Sequence, residues 1–247
     1  MATWVTGDLH GAIDFRDVDA WLEECGSEVA PDDWLLILGD FGLVWGERTD
    51  EERGLLARLE GCGAGGPCWA GTLWIDGNHE NFDQIETWPT EEWHGGRVQR
   101  VPGFPGVIHL MRGEVYDMGP EGRWFCMGGA RSTDKAWRTP HRSWWPQEVP
   151  SADEREHAEA SLDAVGWQVD YVFTHDCPAG CLRAALPSEF AARVPAIGDK
   201  NERWLQYIDK RLTYRRWYLG HFHADRDLDG RHTLLYHRTV RLGESLG

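Results

Sequence analysis

Five short apolar runs, each ending in a polar turn that carries a carboxylate, amide or imidazole, constrain this chain more than any other feature. The runs are Trp4 to Thr6, Trp34 to Leu38, Leu73 to Ile75, Tyr171 to Thr174 and Trp217 to Leu219. Short apolar runs bounded by turns read as buried strands. Helix-like segments with explicit start and stop signals lie between several of them. Thr49 with Glu52, Ser151 with Glu154 and Asp199 with Glu202 each pair an N-cap with its reciprocal acid. Gly61 and Gly166 stand where C-terminal caps belong. Phe15, Val18, Leu22 and Cys25 add an apolar stripe at helical spacing. Strands alternating with helices predict an α/β sheet with helices outside. Thr233 to Tyr236 and Arg238 to Arg241 are expected as closing strands in a second sheet. The least regular stretch, Gly128 to Pro150, has the composition of a functional loop. With no linker or repeat in view, the 247 residues are expected to form one domain.

Charge and cysteine content narrow the function. A formal net charge of −16 opposes binding to long nucleic acid, because counterion release needs many cationic contacts. A pocket with metals and a few arginines could still hold a phosphate within such a molecule. Six scattered cysteines in a chain this size are expected as reduced, structural thiols, Cys177 and Cys181 included. No run approaches the roughly 20 apolar residues of a membrane span, and no signal-peptide pattern opens the chain. The expectation is a soluble, cytoplasmic protein without a membrane partner, of undetermined oligomeric state.

The polar residues fall just after the strands. Asp8-Leu9-His10 follows the first, Gly39-Asp40 the second, Gly77-Asn78-His79-Glu80 the third, His175-Asp176 the fourth and Gly220-His221-Phe222-His223 the fifth. Strand C-terminal ends share one edge of an α/β sheet, where ligands bind, so residues distant in sequence are expected to converge there. Asp, His and Asn form a hard-to-borderline donor set suited to Mn, Fe or Zn. Two cations need a shared oxygen ligand, and Asp40, alone in its motif, is the natural bridge. His221 and His223 alternate in an extended segment, so only a turn could aim both inward. Each motif alone is weak evidence; five in order after five strands are not coincidental turns.

These ordered motifs resemble those of the calcineurin-like metallophosphoesterase superfamily: Gly7-Asp8-Leu9-His10-Gly11, Gly39-Asp40-Phe41-Gly42, Gly77-Asn78-His79-Glu80, His175, and Gly220-His221-Phe222-His223. The resemblance implies a four-layer αββα sandwich of two mixed β-sheets flanked by helices. It further implies that Asp8, His10 and His223 bind one divalent ion, that Asn78, His175 and His221 bind a second, and that Asp40 bridges them. The implied activity is hydrolysis of a phosphomonoester or phosphodiester by in-line attack of a hydroxide generated between two cations, Mn foremost with Fe or Zn as alternatives. His79 is the implied proton donor to the leaving group, and the expected substrate is small, a nucleotide being one form. A nuclease on structured or branched nucleic acid and a non-catalytic metal-binding scaffold are the alternatives.

One departure and one loop bear on the substrate. Phosphoprotein phosphatases of the superfamily carry Asp-Arg-Gly shortly after the second motif, where this chain has Leu43 and Val44. That argues against phosphoserine and phosphothreonine proteins as substrates and leaves His79 without an assigned partner. Gly128-Gly129-Ala130-Arg131-Ser132-Thr133-Asp134-Lys135 is similar to a loop of lariat-debranching members, with Arg138, His141, Trp144 and Trp145 close behind. Arg131 and Ser132, with Asn78, are therefore expected to touch the substrate.

Overall fold

A computed structural model of the chain describes residues 1–46, 48–61, 68–187, 191 and 198–247. Strands β1 (Thr3–Thr6), β2 (Trp34–Ile37) and β3 (Gly71–Trp74) run parallel in step, Thr6 opposite Ile37 and Ile37 opposite Trp74. The turns after them therefore emerge at the same height along one edge. β6 (Phe104–Leu110) runs parallel to β3, and β5 (Gly96–Val101) and β4 (Thr90–Trp93) extend the sheet antiparallel. A second mixed sheet centres on β8 (Arg123–Met127), β9 (Tyr171–Thr174) and β10 (Arg216–Leu219), parallel and again in step, with Met127 and Leu219 both opposite Thr174. β7 (Glu114–Asp117) borders it on one side, and β12 (His232–Leu234) and β11 (Arg226–Asp227) on the other.

Period-two alternation inside continuously apolar strands explains the layering. Leu36, Leu38, Leu73 and Ile75 face Cys126, Phe173 and Tyr218 of the other sheet, forming a middle core. Their neighbours Leu35, Ile37 and Trp74 turn outward onto α1 (Phe15–Cys25) and α2 (Asp50–Leu59), meeting Phe15, Val18, Leu56 and Leu59. On the far side, Phe125, Val172, Trp217 and Leu219 pack under α3 (Ala152–Ala164) and α4 (Lys200–Arg211) through Ala158, Leu162, Leu205 and Ile208. A strand apolar on both faces is what a sheet covered twice requires. The order helix, sheet, sheet, helix is the four-layer αββα sandwich that the motifs implied.

The expected capping boxes at Thr49, Ser151 and Asp199 are all formed. Three expectations need correction. β13 (Val240–Arg241) joins the first sheet and not the second, pairing antiparallel with β1 through Trp4 and Arg241. This strand covers what would otherwise be an exposed β1 edge. Tyr236 stays outside β12. Cys68 is disulfide-bonded, against the expectation of reduced thiols throughout, whereas Cys25, Cys126, Cys177 and Cys181 are free; Cys62 lies outside the described residues. Among the described residues no helix is long and apolar enough to cross a membrane.

Candidate metal centre

The loops after β1, β2, β3, β9 and β10 meet where the edges of the two sheets adjoin. Asp40 sits at the middle, 1% exposed. Its Oδ2 lies 3.3 Å from His10 Nε2 and its Oδ1 3.4 Å from His175 Nε2, so one carboxylate faces a different imidazole with each oxygen. On one side, Asp8 Oδ2 approaches His223 Nε2 at 3.3 Å, and the His223 and His10 rings are 5.0 Å apart. Asp8, His10, Asp40 and His223 each present one ligand atom within 4.8 Å of the others. On the other side, Asn78 Oδ1 stands 3.1 Å from His175 Nε2, and the His221 ring centre lies 4.9 Å from that of His175.

Local backbone makes this convergence. His10, Asp40, His221 and His223 all adopt positive φ, between 44° and 72°, a region non-glycine residues seldom occupy. The left-handed turn at His221 and again at His223 is what lets two histidines one residue apart aim at the same place. Strain of this kind persists only where the surroundings enforce it, and it gathers at functional sites. Gly39, at φ 108°, has no side chain because a Cβ there would strike the His175 imidazole. Glu80 holds the second and third loops together: its buried carboxylate accepts from the amides of Phe41 (2.6 Å) and Gly77 (3.3 Å). Burial and neighbouring Asp40 push Glu80 well above the usual carboxylate range, against those amide bonds.

Whether the site suits a cation is decided by where its protons are. His175 Nδ1 donates to the Leu38 carbonyl at 2.7 Å, which leaves a lone pair on Nε2. That lone pair faces Asn78 Oδ1 and Asp40 Oδ1, both acceptors, with no hydrogen to share between them. His10 repeats the pattern, its Nδ1 bonded to Asp14 Oδ2 at 2.8 Å and its Nε2 turned to Asp40. Converging acceptors repel unless a cation lies among them, so the residues fit divalent ions. A carboxylate or carbonyl behind a ligating histidine is the usual means of fixing its tautomer. Without a cation the charges settle otherwise. Burial lowers the His10 pKa, but the hydrogen bond and charge of Asp40, with Asp8 and Asp14, outweigh it and raise it to about 9. Burial raises Asp40, but His175, His10 and His79 outweigh that and hold it far below the usual range. His221, half-buried beside His175, falls to about 4 as desolvation and the neighbouring imidazole outweigh Asp40 and Asp8.

His79 donates its backbone N–H to Asp40 Oδ1 at 2.8 Å, which swings its ring into a cavity of about 320 Å³ lined also by His10, Ile13, Trp45 and Arg138. Arg138 Nη2 lies 3.5 Å from His79 Nε2, and its guanidinium is fixed by Asp134 (2.7 and 2.8 Å from Nε) and the Ser143 carbonyl. Burial lowers the His79 pKa against the pull of Asp40, and Arg138 adds to the lowering. Leu43 and Val44 are fully buried in the helix-side core and take no part. A larger cavity, about 610 Å³, lies under α3 beside Asp76, His109 and Arg112, away from the converging ligands.

All seven expected ligands and His79 are thus brought together. Arg131 is not with them: it is 60% exposed and pairs with Asp199 at 3.1 Å. Ser132 is buried and bonded to Asn78 and Glu148, so it does not face the cavity. Sequence reasoning passed over Asp14, Glu80, Glu148 and Tyr236, whose ring stacks on His223 with centres 4.6 Å apart. Asp14, four residues after His10 at a helix start, and Glu80, inside the third motif, were the two with a local signal.

An αββα sandwich that gathers Asp, His and Asn donors at its strand ends defines a metal-binding phosphoesterase class. The calcineurin-like phosphoesterase family model matches residues 1–225, and the chain belongs to that family of metal-dependent phosphoester hydrolases. No curated protein matches the chain.

Proposed function

We propose that this chain hydrolyses small phosphate esters with two divalent cations shared through Asp40, manganese foremost and iron or zinc as alternatives. The observation that carries the reading is the split of the Asp40 carboxylate, one oxygen toward His10 and the other toward His175. Asp8, His10 and His223 would hold one cation, and Asn78, His175 and His221 the other. Such a pair supplies a lowered water pKa and neutralises charge on the phosphoryl oxygens.

The chain's own residues do the rest. His79 faces the cavity from the Asp40 side and protonates the leaving oxygen. The lowering of its pKa by burial is offset when a phosphoryl group brings negative charge beside it, which returns its proton when it is needed. Arg138, fixed by Asp134 and Ser143, offers its guanidinium to a phosphate oxygen, a role that sequence alone had suggested for Arg131. Trp45 and Ile13 give the leaving group an apolar wall. A cavity of about 320 Å³ admits a nucleotide-sized ester, and the net charge of −16 disfavours long nucleic acid. The free thiols Cys25, Cys126, Cys177 and Cys181 support a cytoplasmic location, and the Cys68 disulfide speaks against it.

The test is turnover of p-nitrophenyl phosphate and bis-(p-nitrophenyl) phosphate by the protein loaded with Mn²⁺, Fe²⁺ or Zn²⁺ in turn. Turnover that disappears on chelation, together with a loss in His79→Ala that is larger for an added alkyl phosphate, a poor leaving group, than for these activated aryl esters, supports the reading. Absence of hydrolysis with every cation overturns it in favour of a binding scaffold.

A further inference from the structure

Behind Asn78 runs a buried chain of polar atoms that the proposed chemistry does not itself require. Asn78, Ser132 and Glu148 are 4%, 4% and 1% exposed. Glu148 closes the short turn Pro146–Glu148 at the far end of the irregular loop, and both its oxygens are committed to Ser132. Oε1 accepts the Ser132 backbone N–H at 3.2 Å and Oε2 accepts the hydroxyl at 2.6 Å. Asn78 Nδ2 lies 3.0 Å from Ser132 Oγ.

Donor and acceptor counting leaves one arrangement. A carboxylate only accepts, so the single hydroxyl proton of Ser132 goes to Glu148. Ser132 Oγ can then only accept, and the Asn78 atom facing it must be the amide nitrogen. The amide oxygen is thereby turned to His175 and Asp40, where a ligand is needed. Reversed, the NH₂ group would point its hydrogens at the cation position and close it. A carboxamide is nearly symmetric in shape, so packing alone does not make this choice.

The geometry points to Ser132 and Glu148 as positioning residues that fix the orientation of the Asn78 amide and so set the affinity of the cation position formed by Asn78, His175 and His221. This inference rests on the two-cation reading above. It also reassigns Ser132 from substrate contact to a partner of a metal ligand, and it ties the ordering of the loop from 131 to 148 to cation binding.

Calorimetric titration of the metal-free 247-residue chain with Mn²⁺ tests it, comparing wild type, Ser132→Ala, Asn78→Asp and the double variant. Partners behind a metal ligand typically contribute about 10–100-fold in affinity, so Ser132→Ala should weaken one of two Mn²⁺ sites by that factor and leave the other unchanged. Raising Mn²⁺ should then restore its turnover. In the Asn78→Asp background the ligand has no amide to turn, so adding Ser132→Ala should cost little further. Wild-type affinity in Ser132→Ala, or an equal loss in both backgrounds, overturns the positioning role. If Ser132→Ala does not fold, Glu148→Gln carries the test. Its carboxamide can donate to Ser132 Oγ and reverse the chain, so the same site should weaken, and unchanged binding there refutes the inference. A wild type that takes up fewer than two ions overturns the two-cation reading itself, and the relay with it.

Discussion

The two halves of the proposed metal centre are built to different standards of enclosure. The half formed by Asn78, His175 and His221 is the more enclosed: the His175 side chain is 0% exposed, its Nδ1 is spent on a backbone carbonyl, Asn78 is backed by Ser132 and Glu148, and only His221 is half-buried. The half formed by Asp8, His10 and His223 opens outward, with the His223 side chain 50% exposed and resting on Tyr236. Donor types are similar in both. What differs is how many other groups must move for a ligand to leave. A cation in the closed half is therefore expected to behave as part of the fold, and one in the open half to exchange with solvent and to meet the substrate first. Asp40 belongs to both, so its loss should not distinguish them.

Asp40→Ala gives the largest effect expected. Both cation positions lose a ligand, and turnover should fall by well more than the roughly 10–100-fold that follows loss of a residue behind a ligand. Retention of two tight Mn²⁺ sites in this variant would break the bridging assignment. Next come His175→Ala and His223→Ala, compared in the metal-free protein. Removing His175 leaves the Leu38 carbonyl buried without its donor, costing about 1–3 kcal/mol, which a thermal melt reads at about 2–4 °C per kcal/mol in a chain this size. His223→Ala, at an exposed position, should move the melt by under about 0.5 kcal/mol while still removing Mn²⁺ from the open half. Equal melts would mean that the two halves do not differ in the way the burial suggests.

How much of this was written in the sequence depends on the range of the contact that had to be read. The convergence of the seven expected ligands was legible because their motifs follow apolar runs, and strands in step deliver such ends to one edge; β1, β2 and β3 do so through Thr6, Ile37 and Trp74. The residues behind the ligands were hidden. Glu148 is 16 residues from Ser132 and lies in a stretch with no periodicity, so no local pattern marks it. The sequence also offered several arginines in that loop without saying which way each points: Asp199 draws Arg131 off, while Asp134, four residues before Arg138, turns Arg138 to His79. β4 was missed because Thr-Glu-Glu-Trp is exposed along most of its length and carries no alternation, although His94-Gly95, both at positive φ, is a two-residue hairpin turn. β13 was assigned to the wrong sheet because its partner, β1, is at the other end of the chain.

A smaller effect separates the halves through the residue that orients His10. Asp14 stands at the N-cap of α1 yet makes no side-chain cap bond; its carboxylate is turned instead to His10 Nδ1 and the Tyr236 hydroxyl, both of which meet Oδ2. A cap bond is generally worth about 1 kcal/mol, and its absence marks a place where a local rule gives way to the site. Asp14→Ala should therefore weaken Mn²⁺ at the open half by about 10-fold, leave the closed half untouched and change the helix little. Loss at both halves, read as two shifted titration steps, would show that they are coupled more tightly than their separate partners indicate.

The smallest effect is one of pH, and it has opposite signs in the two halves. In the metal-free protein, His10 is raised from its ordinary 6.5 to about 9, burial being outweighed by Asp40. A group raised on folding stabilises fully below its unfolded pKa and stops doing so as pH climbs through the folded one, so this contribution fades between pH 6.5 and 9. His221 is lowered from 6.5 to about 4 by burial and His175, so it is neutral when folded and protonated when unfolded in that interval. Its contribution declines as pH drops from 6.5 through 4. Melts of the metal-free protein should accordingly lose an alkaline limb in His10→Gln and an acid limb in His221→Gln. The same protons compete with the cation. Mn²⁺ affinity at the open half should climb steadily from pH 6.5 to 9, because His10 must release a proton there, while the closed half, already neutral at His221, should be level over that range. Two sites climbing together would dissolve the distinction between an open and a closed half; one climbing and one level would fix which cation sits where.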